Sequence, residues 1–138
     1  MKIDIDYRAR RYLDVFALPE GQINISEVRP GITCAFHRHQ NQEDHWLVVG
    51  GELEVIIVDG TNASYNFTLK DGIAYRSYAE PIIGPLIIPA KMWHGYRNVT
   101  NETALLIYYV TKKYDSMFPD EERITPDALG VQFPTGVK

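Results

Sequence analysis

The chain has 138 residues, 45% of them hydrophobic, with a formal net charge of -4 and a single cysteine. That length allows one domain with a real core, and the composition excludes a disordered chain. Cys34 alone excludes an internal disulfide and thiolate zinc sites, and the acidic balance, with Arg8, Arg10 and Arg11 as the basic cluster, gives a nucleic-acid partner little electrostatic support.

The opening stretch MKIDIDYRARRYLDV is too polar for a signal peptide, and no apolar run approaches the ~18 residues of a membrane span. The sequence therefore reads as cytoplasmic, with no membrane partner. In that compartment the Asn-x-Ser/Thr triplets at Asn24, Asn62, Asn66, Asn98 and Asn101 have no meaning as glycosylation sites. Residues 1–20 read as an N-terminal arm, in which 8–15 are ambiguous between helix and strand.

From residue 22 onward, strand-like runs recur about every ten residues. They are Gln22–Ser26, Ile32–Phe36, His45–Val49, Leu53–Val58, Ser64–Leu69, Pro85–Ile88, Gly95–Val99 and Ala104–Val110. Pro30-Gly31, Gly50-Gly51, Asp59-Gly60, Asp71-Gly72, Pro89-Ala90-Lys91 and Thr100-Asn101-Glu102 separate them with turn chemistry. Many short strands joined by such turns predict an all-β sandwich or barrel, with a core over about 22–115 and a tail over 116–138. Pro119 and Pro126 limit any helix within 119–129 to a couple of turns.

One stretch concentrates chemistry: Phe36-His37-Arg38-His39-Gln40-Asn41-Gln42-Glu43-Asp44-His45-Trp46. Strand alternation puts His37 and His39 on one face with Thr33 and Ala35, and Arg38 on the other. Glu43 follows across a short turn, and His94 opens a later strand. His45 is expected on the far face or at a subunit contact. Cys34 reads as buried filler and the run Asp120-Glu121-Glu122-Arg123 as solvated surface. Trp46 and Trp93 fit a pocket wall as well as plain core.

The spacing Gly31-x5-His37-x-His39-x3-Glu43-x6-Gly50 resembles the first cupin motif. Gly84-x4-Pro89-x-Lys91-x2-His94-x3-Asn98 resembles the second, with one residue fewer after the first glycine and Lys91 where glycine is usual. Ile88-Pro89-Ala90-Lys91-Met92-Trp93-His94-Gly95, the run Tyr108 to Asp115 and the run Phe118 to Gly130 are similar to the dTDP-4-dehydrorhamnose 3,5-epimerase superfamily, in its short epimerase-related branch. The resemblance covers most of residues 22–134. It implies a single cupin domain over 1–138, a jelly-roll barrel of the RmlC-like kind, and a homodimer to which the arm contributes.

The resemblance further implies a metal-free epimerase acting on a nucleotide sugar at the carbons beside a 4-keto group. His37 takes the position of the base and Tyr108 that of the acid. Strand parity does not choose between Tyr108 and Tyr109, so that assignment rests on the resemblance. Asp127 is the expected orienting carboxylate. His94 stands beside the base, His39 and Trp46 with Trp93 would contact the sugar, and Arg76, Lys91 and Arg97 are the candidates for the diphosphate. A second chemistry stays open. His37, His39, Glu43 and His94 form a three-histidine, one-carboxylate set suited to divalent Zn, Fe, Mn or Ni, as in a metal-dependent cupin isomerase or dioxygenase. A non-catalytic sugar-binding cupin is the third reading.

Overall fold

The computed structural model describes residues 1–16 and 20–135. In chain order the strands are β1 (Lys2–Ile5), β2 (Arg10–Leu13), β3 (Gln22–Val28), β4 (Thr33–Arg38), β5 (Asp44–Gly50), β6 (Glu52–Val58) and β7 (Ser64–Lys70). They continue as β8 (Ile73–Tyr75), β9 (Ile82–Ile83), β10 (Leu86–Ile88), β11 (Trp93–Arg97), β12 (Ala104–Val110) and β13 (Glu122–Arg123), with a short helix α1 (Pro126–Leu129). β1 and β2 pair as a separate hairpin, so the ambiguous stretch 8–15 contributes a strand. No helix among the described residues is long and apolar enough to cross a membrane.

The remaining strands form two antiparallel sheets, ordered β10-β5-β12-β3 and β13-β4-β11-β6-β7-β8-β9. This is the expected all-β jelly-roll arrangement with one correction, because the expected closed barrel does not form. Among the described residues neither sheet closes, and each ends in strands with a single neighbour. β9 and β10, which lie at the gap, are only 2 and 3 residues long. Strands that short cannot carry a ladder between sheets, whereas alternation in the sequence reports only which face is buried.

Alternation along β6 sends Leu53, Val55 and Ile57 between the sheets, where they meet Val48, Leu86, Ile88 and Leu106. Ile56 and Val58 point to the outer face and meet Phe36, Trp93, Leu129, Val131 and Phe133. The stretch expected as a tail thus returns over the sheet, anchored by β13 on β4 through Glu122↔Arg38 and Arg123↔His37. β6 is apolar on both sides because both sides are covered.

Two features place the later site residues. The register between β4 and β11 slips from His94↔His37 to Tyr96↔Cys34. One extra residue on β4 is therefore accommodated as a bulge, which reverses the strand's facing. Cys34, and not Thr33 or Ala35 as alternation predicted, shares the inward side with His37. Beside this pairing sits Gly95, where a Cβ would lie 2.7 Å from the Ala35 Cα.

Asn98, with no exposed surface, ties three segments together. Its amide donates to Val28 O at 3.0 Å and Glu102 O at 2.7 Å, and its oxygen accepts from Thr100 N and Thr100 Oγ1. Asn98→Ala leaves the buried Val28 O without this partner and unties the 100–102 turn from β3. The variant should lose about 3 kcal/mol of unfolding free energy in a urea titration, with the m-value unchanged.

Candidate active site

The inner faces of the strands change character along their length. On β12, Leu106 lies opposite Val48, Tyr108 opposite Trp46 and Asn24, and Val110 opposite Asp44 and Gln22. Each strand is apolar at one end and polar at the other. The polar ends enclose a cavity of about 540 Å³, a size typical of small-molecule sites. β3 contributes Gln22, Asn24 and Ser26, β4 His37 and Cys34, β5 Asp44 and Trp46, β11 Tyr96 and β12 Tyr108. This register resolves the tyrosine pair: Tyr109 is turned to the other face, where its hydroxyl donates to Glu20 O and its ring meets His45.

Three imidazoles meet at one side of the cavity, His37 and His39 in its wall and His94 packed behind them. His94 is 4.7 Å from His37 and 5.4 Å from His39 between ring centroids, and Trp46 lies edge-on to it at 5.3 Å. His94 is only 1% exposed. Its Nδ1 donates to Met92 O at 3.0 Å, and its Nε2 is buried with no hydrogen-bond partner among the described residues. His39 Nδ1 donates to Asp120 O. Asp44, 4% exposed, accepts from Gln42 Nε2 at 2.7 Å and from Trp46 Nε1 at 3.1 Å. Its oxygens face His39 Nε2 and His94 Nε2 at 3.8 Å each.

Burial lowers the pKa of His37 to about 4; the neighbouring His94 adds to this, and the Glu121 carboxylate opposes it. Burial likewise lowers His94 to about 4. Both rings are therefore neutral acceptors at neutral pH. Tyr96 is pushed up to about 12, first by burial and then by Cys34, with which it shares a hydrogen bond. Cys34 is accordingly a half-buried cavity residue rather than core filler.

Several sequence-predicted residues stand elsewhere. Asp127 is exposed on α1 and does not line the cavity, and the carboxylates acting on His37 are those of Glu121 and, more weakly, Asp44. Glu43 turns away from the histidine cluster and pairs with His45 at 2.8 Å, because alternation along β5 points Asp44 and Trp46 inward. Trp93 packs on the outer face beneath the Arg38 guanidinium, 4.5 Å from its ring centroid. Arg76 donates to Glu80 O, Arg97 to Thr33 Oγ1 and Gly31 O, and Lys91 is exposed in the turn before β11. The cations that do line the cavity are Lys112, Lys113 and Arg123. The run Asp120–Arg123, read as solvated surface, thus forms part of the wall. Motif spacing selects Glu43, whereas the parity of Trp46 and Val48 on one strand face is the signal that would have found Asp44.

Because His37 and His94 hold a depressed pKa only when folded, the unfolded chain binds more protons between pH 6.5 and about 4. Their contribution to stability is complete above the ordinary imidazole value and is lost as pH falls through that window. Thermal melts of chelator-treated protein should show Tm falling from pH 6.5 towards 4. The fall should be shallower in His37→Asn.

No family model matches the chain. Over 114 residues it is 37% identical to the spore coat polysaccharide biosynthesis protein SpsL of Bacillus subtilis strain 168, a match covering 82% of this chain and 73% of that protein. It is 36% identical over 99 residues to a probable low-salt glycan biosynthesis epimerase of Haloferax volcanii, covering 71% of this chain and 62% of that protein. Among solved structures, the dTDP sugar isomerase of Desulfovibrio desulfuricans superposes with a TM-score of 0.71 at 22% identity, over 96% of this chain and 85% of that one. That last likeness is one of fold.

Proposed function

The chain belongs to the RmlC-like superfamily of dTDP-sugar epimerases and their relatives, and from that premise we propose that it is a nucleotide-sugar epimerase inverting carbons beside the 4-keto group of a 4-keto-6-deoxy sugar. The observation that carries this reading is a neutral imidazole, His37, in a cavity it shares with the phenol of Tyr108.

The chemistry needs a base, an acid and a held oxyanion. A proton on carbon beside a ketone is acidic because the carbonyl accepts the electron pair as the C–H bond breaks. His37, kept unprotonated by burial, takes that proton. Tyr108 then returns one to the opposite face, so that the carbon inverts and the proton count is unchanged. The Asn24 amide, whose oxygen already accepts from Gln22 Nε2 at 2.8 Å, keeps its N–H groups for the enolate oxygen. Lys112, Lys113 and Arg123 match a diphosphate by charge. His37 lies beside Glu121, which favours the imidazolium formed in the first step.

Proton NMR of dTDP-4-keto-6-deoxyglucose in deuterated water tests this. The wild type should exchange the C3 and C5 protons, and His37→Asn should lose at least about 100-fold in exchange rate while keeping its circular dichroism. Exchange at full rate in that variant would remove His37 from the role of base. Exchange at C3 alone would narrow the reaction to a 3-epimerase or a ketoisomerase.

The reading includes a homodimer. Ile23 and Ile25 on edge strand β3 and Ile87 on β10 are 59%, 65% and 53% exposed, on the face of the four-stranded sheet turned away from the cavity. An apolar sheet face of this kind is suited to a second copy. Light scattering should give twice the chain mass for the wild type and the chain mass for an Ile23→Glu, Ile25→Glu variant.

A further inference from the structure

We infer that Asp44, His39 and His94 form an ammonium-recognising corner of the cavity, so that the sugar it accepts carries a primary amino group. The inference rests on the nucleotide-sugar reading of the same cavity and narrows its substrate class to amino sugars. His37 and Tyr108 lie outside the three residues.

The argument begins with the protons. Both imidazoles donate through Nδ1 to backbone carbonyls, His94 to Met92 O and His39 to Asp120 O. In the neutral ring that leaves Nε2 as the acceptor, and each Nε2 is turned to an Asp44 oxygen at 3.8 Å. That separation is too long for a shared proton, since N···O hydrogen bonds fall near 2.7–3.2 Å. Three acceptors thus converge with no donor between them, and His94 Nε2 has no partner among the described residues. His39 and Asp44 open onto the cavity, so the missing donor is one a ligand can bring.

Charge and donor count decide which ligand group fits. Asp44 is 4% exposed, and its hydrogen-bond donors, the Gln42 amide and the Trp46 indole, are both neutral. Lys112, Lys113 and Arg123 line the cavity, yet among the described residues the ion-pair contacts of Asp44 are with the two imidazoles alone. A carboxylate this deep calls for a cation beside it. A sugar hydroxyl has one O–H for three acceptors and no charge. A primary ammonium has three N–H groups and the charge as well.

The dimensions agree. The facing atoms of the three residues lie within 4.8 Å of one another. Hydrogen bonds of about 2.7–3.2 Å spread tetrahedrally from one nitrogen set their acceptors roughly 4.4–5.2 Å apart. A divalent ion could also lie between these groups, but metal bonds of about 2.0–2.2 Å set ligand atoms roughly 3.3–3.6 Å apart. The 3.8 Å contacts already exceed that spacing.

The test is calorimetric binding near neutral pH to full-length protein dialysed against chelator, which keeps ions out of the three groups. The probes are dTDP-glucose and its 2-amino-2-deoxy and 3-amino-3-deoxy counterparts, which lack the 4-keto group and bind without reacting. One of the amino forms should bind roughly 10- to 100-fold tighter than dTDP-glucose, the gain expected of hydrogen bonds to a charged group. N-acetylation of that amine, which removes its charge and all but one N–H, should abolish the gain. Asp44→Asn and His39→Gln, with folding checked by circular dichroism, should each lose most of the ratio between amino sugar and dTDP-glucose. Should Asp44→Asn not fold, His39→Gln and the N-acetyl sugar decide. Equal binding of all three probes to folded wild type overturns the proposal and leaves the nucleotide-sugar reading standing, whereas binding of none overturns both. A preference that survives N-acetylation, or that is unchanged in the folded variants, overturns it as well.

Discussion

The close approach of β11 to β4 at Gly95 fixes where the imidazoles of His37 and His94 stand. A methyl group there would meet the Ala35 main chain, and the strands would have to separate or slip. The pair His94↔His37 stands next to that contact. It puts the His94 ring against His37 and, across the sheet interface, under Trp46. Burial then follows from position. The rings lose water, their charged forms become unfavourable, and both are left as neutral acceptors. The presence of two neutral imidazoles side by side thus traces to one backbone contact.

The same strands serve as scaffold and site. Val28, Val48 and Leu106 are nearly fully buried and anchor the apolar parts of β3, β5 and β12, toward whose other ends Asn24, Asp44 and Tyr108 project. Each such side chain stabilises the fold by about 1.5–3 kcal/mol, enough to hold a polar end that contributes little by itself. Asp44 is the most demanding of those polar groups. A carboxylate this deep is tolerable only when its lone pairs are occupied. Gln42 and Trp46 occupy the outer ones, and the inner ones face the histidines.

Much of this was legible in the sequence, and the limits have physical causes. Period-2 alternation and turn residues located the strands and gave the all-β class, because burial of one face is a local property of each run, and the jelly roll came from the resemblance of the two motifs. Closure was not legible, since it depends on whether two very short strands meet. The histidines were found by spacing, yet the neighbouring carboxylate was missed because strand parity outranks motif position: at Glu43 the side chain faces away, and one residue on it faces in. Parity itself failed on β4, where the bulge exchanged Ala35 for Cys34 on the cavity side. The choice between Tyr108 and Tyr109 required the register with β5, a pairing between distant segments that no single strand encodes. The three cations expected at the site precede β12, whereas those of the cavity wall follow it.

That last error shows how the site is divided. The histidines, Asp44 and Tyr108 sit on strands of the two sheets, whereas Lys112, Lys113, Glu121 and Arg123 belong to the segment that leaves β12 and returns to β4. The returning segment is held by specific polar contacts rather than by a broad apolar face. The Asp120 carboxylate accepts from Gln40 N at 2.8 Å and Asn41 N at 2.9 Å, Glu122 pairs with Arg38, and two residues of β13 pair with β4. These contacts fasten the segment to the turn that carries His39, and the Asp120 carbonyl sets the tautomer of that ring. The placement of the imidazoles is thus set by the sheets and trimmed by the segment, while the positive charge at the cavity wall comes from the segment itself. A surface segment tolerates substitution more readily than a packed strand. Relatives that keep the histidines and differ over 112–123 would then keep the reaction and change the ligand.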